Sequence, residues 1–271
     1  MQRQAIVAGQ FYPDRPQDLR RQLESFMPPD VVAKRVRGLM APHAGYVYSG
    51  AIAGEGFSRV LVPETVILIG PNHHGIGAAA ALYNRGSWLT PLGEVAIDEQ
   101  LARALLSGVP GLAADPAAHR YEHSLEVMLP FLQLRRPDVR IVPLMLQSHS
   151  FSDLAGMGEA LAAMIRDHEE TQGTRVLLLA SSDMSHYEPA EVARAHDLPV
   201  LERLITLDAA GLYQRVLQQR VSMCGIFAAT LLLTTLTALG CKRGELVRYG
   251  NSGEVSGDMS SVVGYASALF S

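Results

Sequence analysis

Four short runs, at 36–40, 66–70, 140–146 and 175–180, are apolar at nearly every position instead of alternating with polar residues. Runs of that length and composition predict strands buried on both faces, as in a parallel sheet. Between them lie stretches with helical character. Asp14 or Asp18 is positioned to cap a helix passing through Leu23 and Phe26 to a stop at Pro28-Pro29. The small residues 49–54 open a helix that packs closely on the sheet. Residues 79–97 form hairpin-like runs around Gly86, Pro91 and Gly93, followed by a helix from about Glu99 to Leu106 and a polar loop over 115–121. Ser124 is placed to cap a helix carrying Leu125, Met128, Leu129 and Leu132. An amphipathic helix is predicted over 152–168, helices over 190–219, and an apolar helix over 226–239. The tail, 245–271, reads as two strands around a Gly/Ser-rich loop.

This alternation predicts a single-domain layered α/β fold spanning 1–271, with a central, largely parallel sheet flanked by helices. Hydrophobic residues make up 48% of the chain and charged residues 18%, which suits a compact core. With a net charge of −4, electrostatics supply no reason to expect nucleic acid or an anionic membrane as partner. The apolar run 226–239 is interrupted by threonines and falls short of the ~20 residues of a membrane span. No apolar leader segment follows Met1, and two cysteines, Cys224 and Cys241, make no disulfide framework. A cytoplasmic location is therefore expected.

Candidate chemistry gathers where the predicted strands end. His43 follows the first, His73 and His74 the second, Asp183 and His186 the last. Parallel neighbours would bring these carboxyl ends to one edge, although the residues lie about 30 and about 110 positions apart. Consecutive residues of an extended segment point opposite ways, so one of His73 and His74 serves as a ligand, and pattern does not choose between them. Cys224, at a helix start, is either a thiolate favoured by the macrodipole or a small buried hydrophobe. The spacing of Asp183 and His186 suggests a carboxylate orienting a general base. His123 is placed to donate a hydrogen bond to a bound oxygen, and Glu122 to cap a helix. His119, His149, His168, His196 and Cys241 read as structural. No phosphate-binding Gly-rich loop, nucleophile elbow or His-Glu-x-x-His helix is present.

The blocks Ala41-Pro42-His43-Ala44-Gly45-Tyr46, Gly70-Pro71-Asn72-His73-His74, Glu122-His123-Ser124-Leu125-Glu126, Ser181-Ser182-Asp183-Met184-Ser185-His186, Cys224-Gly225 and Asn251-Ser252-Gly253 resemble, in order, those of the Memo family. Its prokaryotic members are often named AmmeMemoRadiSam system protein B. The resemblance implies a fold like that of class III extradiol dioxygenases and a mononuclear metal site on His43, His73 and Cys224. It also implies that Asp183, His186 and His123 line the cleft, with His186 as acid/base, Asp183 orienting it and His123 contacting substrate or bound oxygen. Iron or copper is favoured over zinc, with redox or oxygen chemistry on an unknown small molecule or protein substrate and a functional link to a radical SAM enzyme. Ring cleavage is not carried over, because a thiolate replaces the carboxylate of the dioxygenase ligand set. The rival readings are a zinc hydrolase using the same cleft and a non-catalytic module that binds a peptide or partner protein.

Overall fold

Every residue of the strand Thr65–Pro71 is buried, so it needs neighbours on both edges and cover on both faces. The computed structural model, which describes residues 1–271, supplies them. Arg140–Leu146 and Val176–Ser181 flank this strand in parallel, pairing Ile67 with Val142 and Leu178. Gly38–Ala41 adds beyond Val176–Ser181, also in parallel, with Ala41 opposite Ser181. The continuous apolar runs are thus the four-stranded parallel centre of a mixed, twelve-stranded sheet.

Further strands, parallel and antiparallel, extend that centre. Val262–Phe270 pairs with Gly38–Ala41 and with Gly244–Asn251, forming the predicted two-stranded tail. On the other side Gly93–Ile97 lies parallel to Arg140–Leu146 and antiparallel to Ser87–Thr90. Helices cover both faces. Tyr46–Ser58 follows Gly38–Ala41, and its Gly56 lies so near Ser267 and Leu39 that a Cβ there would collide with the Ser267 hydroxyl. The helix starts at Tyr46, ahead of the predicted small-residue opening, and within that run Gly50 and Gly54 make room for Phe26 and not for the sheet. The apolar helix Ile226–Ala238 lies under Phe151–Gln172, where Gly158 meets Thr234, so it is a core helix as its length suggested. No helix is long and apolar enough to cross a membrane.

Several local expectations are corrected. Neither Asp14 nor Asp18 caps the first helix, Pro16–Phe26: Arg15 holds the cap position without a side-chain bond, and Asp18 lies in the first turn. Ser124 caps nothing. Its hydroxyl donates to the carbonyl of Pro71 at 3.1 Å, tying the loop to the end of the central strand. The following residues form a 3-10 turn, Glu126–Met128, and then a helix, Leu129–Arg135. Residues 190–219 divide into Ala190–Ile205 and Ala209–Gln218, with Leu207 at φ 55° between them. The polar loop before Glu122 contains a short 3-10 turn, Pro116–His119, whose His119 is fully buried beside Trp88.

The register has one consequence for function. Three parallel strands end at Ala41, Pro71 and Ser181, and His43, His73 and Asp183 each stand two residues past their strand's last residue. Chain pairing alone therefore carries all three to one edge.

Candidate metal centre

At that edge three imidazoles converge. One ring nitrogen from each of His43, His73 and His123 lies within 4.8 Å of the other two. His73 and His123 stack with ring centroids 5.1 Å apart, and His43 stands edge-on to both at 5.3 and 5.5 Å. Cys224 stands beside this group and outside the trio, its Sγ 3.3 Å from His43 Nε2. It reaches this point from just before the helix Ile226–Ala238, and the following Gly225 is required there. A Cβ on Gly225 would sit 2.6 Å from the carbonyl oxygen of Ser181.

Hydrogen bonds assign the protons. The Ser181 hydroxyl donates its one hydrogen to the carbonyl of Ser124 at 2.7 Å, so it accepts from His43 Nδ1, also at 2.7 Å. His43 Nε2 is left with its lone pair facing the sulfur. His73 is held in the same way by Glu122. One carboxylate oxygen accepts from Nδ1 at 2.9 Å and the other from the His73 backbone N–H at 2.7 Å. Buried Glu122 also accepts from the Ser124 N–H at 2.9 Å, and His123 Nδ1 lies 3.4 Å from it. A carboxylate behind an imidazole fixes tautomer and ring orientation, the usual support for a metal-binding histidine.

The charges follow from this arrangement. Burial drives the His43 pKa well below its ordinary value, and the neighbouring imidazoles His123 and His73 push it further down. Burial also lowers His73, but the hydrogen bond and charge of Glu122 outweigh it and the net shift is upward. Glu122 responds oppositely: burial raises it, yet bonds from His73 and Ser124 hold it well below the carboxylate range. Burial lowers His123 and His186 and raises the Cys224 thiol, to which the charge of Asp183 contributes. The thiolate favoured by a helix start is therefore opposed by burial of the sulfur. Asp183 is pushed up to about 7 by burial, despite hydrogen bonds from the His43 and Ala44 backbone.

A family model described as "Memo-like protein" matches residues 3–269. The chain belongs to the Memo family. It is 40% identical to a MEMO1 family protein of Methanosarcina barkeri over 269 residues, covering 98% of this chain and 99% of that one. A MEMO1 family protein of Methanopyrus kandleri is also 40% identical, covering 100% and 99%. Among solved structures, the uncharacterized protein JW3007 from Escherichia coli K12 superposes with a TM-score of 0.59 at 15% identity, over 87% of this chain and all of that one. At that identity the likeness concerns the fold alone.

Within this Memo-family fold, the blocks that carried the resemblance meet at one edge of the sheet. His74 turns away into solvent, its backbone N–H bonded to the Asn72 side chain. His186 opens the short strand His186–Glu188 beside Val262–Phe270, near enough to disfavour a charge on His43. The expected Asp183–His186 pairing is not formed. Asp183 Oδ1 instead accepts from the His43 backbone N–H at 2.7 Å, and its own N–H points at Cys224 Sγ at 3.2 Å. The physical reason is register: Ser181 pairs with Ala41 and the Ser182 N–H bonds the Ala41 carbonyl, so the chain carrying Asp183 runs on beside the chain carrying His43.

Sequence reasoning missed three contributors. Ser181 sets the His43 tautomer, Phe11 packs against His123 at 4.9 Å, and Arg3 anchors the Glu122 loop. Arg3, buried over Trp88, donates to the carbonyls of His119 and Glu122 and to Glu126, each at 2.7 Å. Glu126 in turn accepts from Tyr12 and from the backbone of Ile6 and Val7. Position in sequence hid these roles, because each is a contact across more than a hundred residues.

Proposed function

We propose that this edge is a mononuclear metal site in which His43 and His73 are ligands and Cys224 and His123 supply the remaining donors. The observation that carries the proposal is the convergence of three imidazole nitrogens within 4.8 Å, beside a cysteine sulfur. The donor set suits the group chemically. The nitrogens of His43 and His73 that would bind are lone-pair bearing, since Ser181 and Glu122 occupy Nδ1 of each. His123, expected to contact substrate, stands among the donors. Three nitrogens and a sulfur fit iron, copper or zinc and not a hard, oxygen-seeking ion such as magnesium. When bound, iron or copper would supply a redox-active centre.

The chain's own residues would supply the rest. Glu122 orients His73 and holds negative charge behind it. His186, kept neutral by burial, is able to accept a proton from substrate. Asp183, with its proton affinity near neutral pH, is the second group able to take or give one. Phe11 forms an apolar wall against His123. The function these features support is metal-dependent redox or oxygen chemistry on a small molecule or an accessible protein side chain.

Metal analysis and electron paramagnetic resonance on protein purified without chelator test this reading. Bound iron or copper, lost in His43→Ala and altered in coordination in Cys224→Ala, is the expected result. Failure to bind either metal on reconstitution, with the fold intact, overturns it. The thiol among imidazoles favours one second reading, a zinc hydrolase. Zinc retained in preference to iron and copper, with model-ester hydrolysis lost in His43→Ala, would replace the redox assignment.

A further inference from the structure

We propose that the opposite edge of the sheet carries a second binding site, for a small phosphorylated molecule with an apolar body. A cavity of about 580 Å³ opens there, within the ~300–1,000 Å³ range of small-molecule sites. Its lining comes from the chain just before each parallel strand: residues 35–36, 61–64, 135–136 and 173–176. The crossover topology that gathers the histidines at the carboxyl ends gathers these at the amino ends. Thr65–Pro71 runs between the two edges and, at ~3.3 Å per residue, separates them by about 20 Å. The two sites are therefore chemically independent, and this inference does not rest on the metal.

Charge identifies the ligand. Arg35, Arg135, Arg136 and Arg175 line the cavity, while Glu64 is its one acid and is already paired with Arg140. Arg136 pairs with Asp138 at 3.2 Å. Arg35, Arg135 and Arg175 have no carboxylate within ion-pair distance, and Arg135 bonds only the Val60 carbonyl, at a long 3.4 Å. Three uncompensated guanidiniums in one cavity reverse the sign of a chain whose net charge is −4. All three are solvent-exposed at the rim of the cavity, so their pull on an anion is screened by salt and is strongest for one carrying more than one charge. Guanidinium donors match phosphoryl oxygens in bidentate geometry.

The cavity is not purely polar. Val36, Leu61 and Val62 also line it, with Leu61 exposed. An inorganic anion leaves that apolar surface in water, whereas a nucleotide-like molecule covers it. The site thus fits a ligand with a diphosphate at one end and a flat or aliphatic group at the other.

Isothermal titration with adenosine diphosphate and with pyrophosphate, at constant ionic strength, tests the assignment. Saturable binding of adenosine diphosphate to one site is expected, weakened at least tenfold in Arg35→Gln/Arg175→Gln and unchanged in His43→Ala. No saturation at millimolar concentration, or full affinity in the double variant, overturns the site. Pyrophosphate binding as tightly as the nucleotide would overturn the apolar half of the proposal. A single-stranded RNA that binds more tightly and is not displaced by adenosine diphosphate would overturn the small-molecule assignment. Because substitutions can disturb the fold, the unmodified protein gives an independent check by phenylglyoxal modification read by mass spectrometry. Adenosine diphosphate should slow reaction at Arg35, Arg135 and Arg175 and leave Arg220, outside the cavity, unaffected. Equal rates with and without the nucleotide count against the site.

Discussion

Replacing Glu122 with glutamine would test whether the candidate metal centre depends on the carboxylate behind it. The change keeps size and shape and removes one charge. Glu122 accepts three hydrogen bonds at 2.7–2.9 Å, from His73 N–H, His73 Nδ1–H and Ser124 N–H. A glutamine has one acceptor oxygen. If that oxygen faces His73 Nδ1 and Ser124, the amide NH₂ meets the His73 backbone N–H, donor against donor. In the flipped orientation the NH₂ faces Nδ1, and the imidazole relieves the clash only by moving its proton to Nε2. That shift removes the lone pair a metal would use. The first orientation loses one charge-assisted bond, about 1.5–3 kcal/mol, and the second disables His73 as a ligand. Either way metal affinity should fall between ~10- and ~100-fold, the usual cost of losing such a support. The assay is a competition titration of copper, iron or zinc against a chelator of known affinity, with circular dichroism to confirm the fold. Affinity within twofold of the unmodified protein would show that His73 is not a ligand held by Glu122.

Further outcomes follow from the same geometry. Gly225→Ala places a Cβ 2.6 Å from the Ser181 carbonyl oxygen, so thermal melts should show a loss of about 1–3 kcal/mol and metal binding should weaken as Cys224 is displaced. Two opposing sets of groups govern the pH dependence of the metal-free protein. His43, His119, His123 and His186, lowered by burial, take up protons on unfolding and so favour the fold as pH rises toward neutrality, whereas Asp183 and His73 act the other way. Asp183, raised from 3.8 to about 7, binds its proton more tightly folded than unfolded, so its destabilising effect is absent below pH ~4 and complete above pH ~7. By linkage it amounts to at most about 4 kcal/mol. Raised His73 acts in the same direction near neutral pH, losing stability as pH climbs through its folded value. Melts across pH 4–8 should therefore rise more steeply with pH in Asp183→Asn than in the unmodified protein, because the opposing carboxyl is gone; an unchanged profile would refute the assignment to Asp183. Arg3→Ala should lower both melting temperature and metal affinity. It leaves Glu126 buried without its cation and frees the Glu122 loop, a change typically worth about 3–5 kcal/mol.

The apolar runs, read as sequence, determined the parallel centre of the sheet. A segment such as Val66–Ile69 has no stable alternative to burial on both faces, and the Gly-Pro break that follows has few conformations to choose from. That is why the strand ends, and His43, His73 and Asp183 beyond them, were legible before any coordinates. Local caps were not. Ser124 has the composition of a cap, but a tertiary acceptor, the Pro71 carbonyl, takes its hydroxyl. Spacing likewise suggested that Asp183 serves His186, whereas strand pairing puts His43 across from it and the shorter contact wins.

Ligand geometry belongs to the tertiary structure. Nothing near residue 123 announces that its imidazole will stack on one fifty residues earlier, or that Glu122 will face His73 and not the helix that follows it. The arginine cavity was equally invisible, because Arg35, Arg135 and Arg175 become neighbours only when four strands start side by side. Periodicity reports what each segment must bury, since burial is a property of the segment itself. Which side chains meet at the edges depends on strand order and register, and those are properties of the folded chain alone.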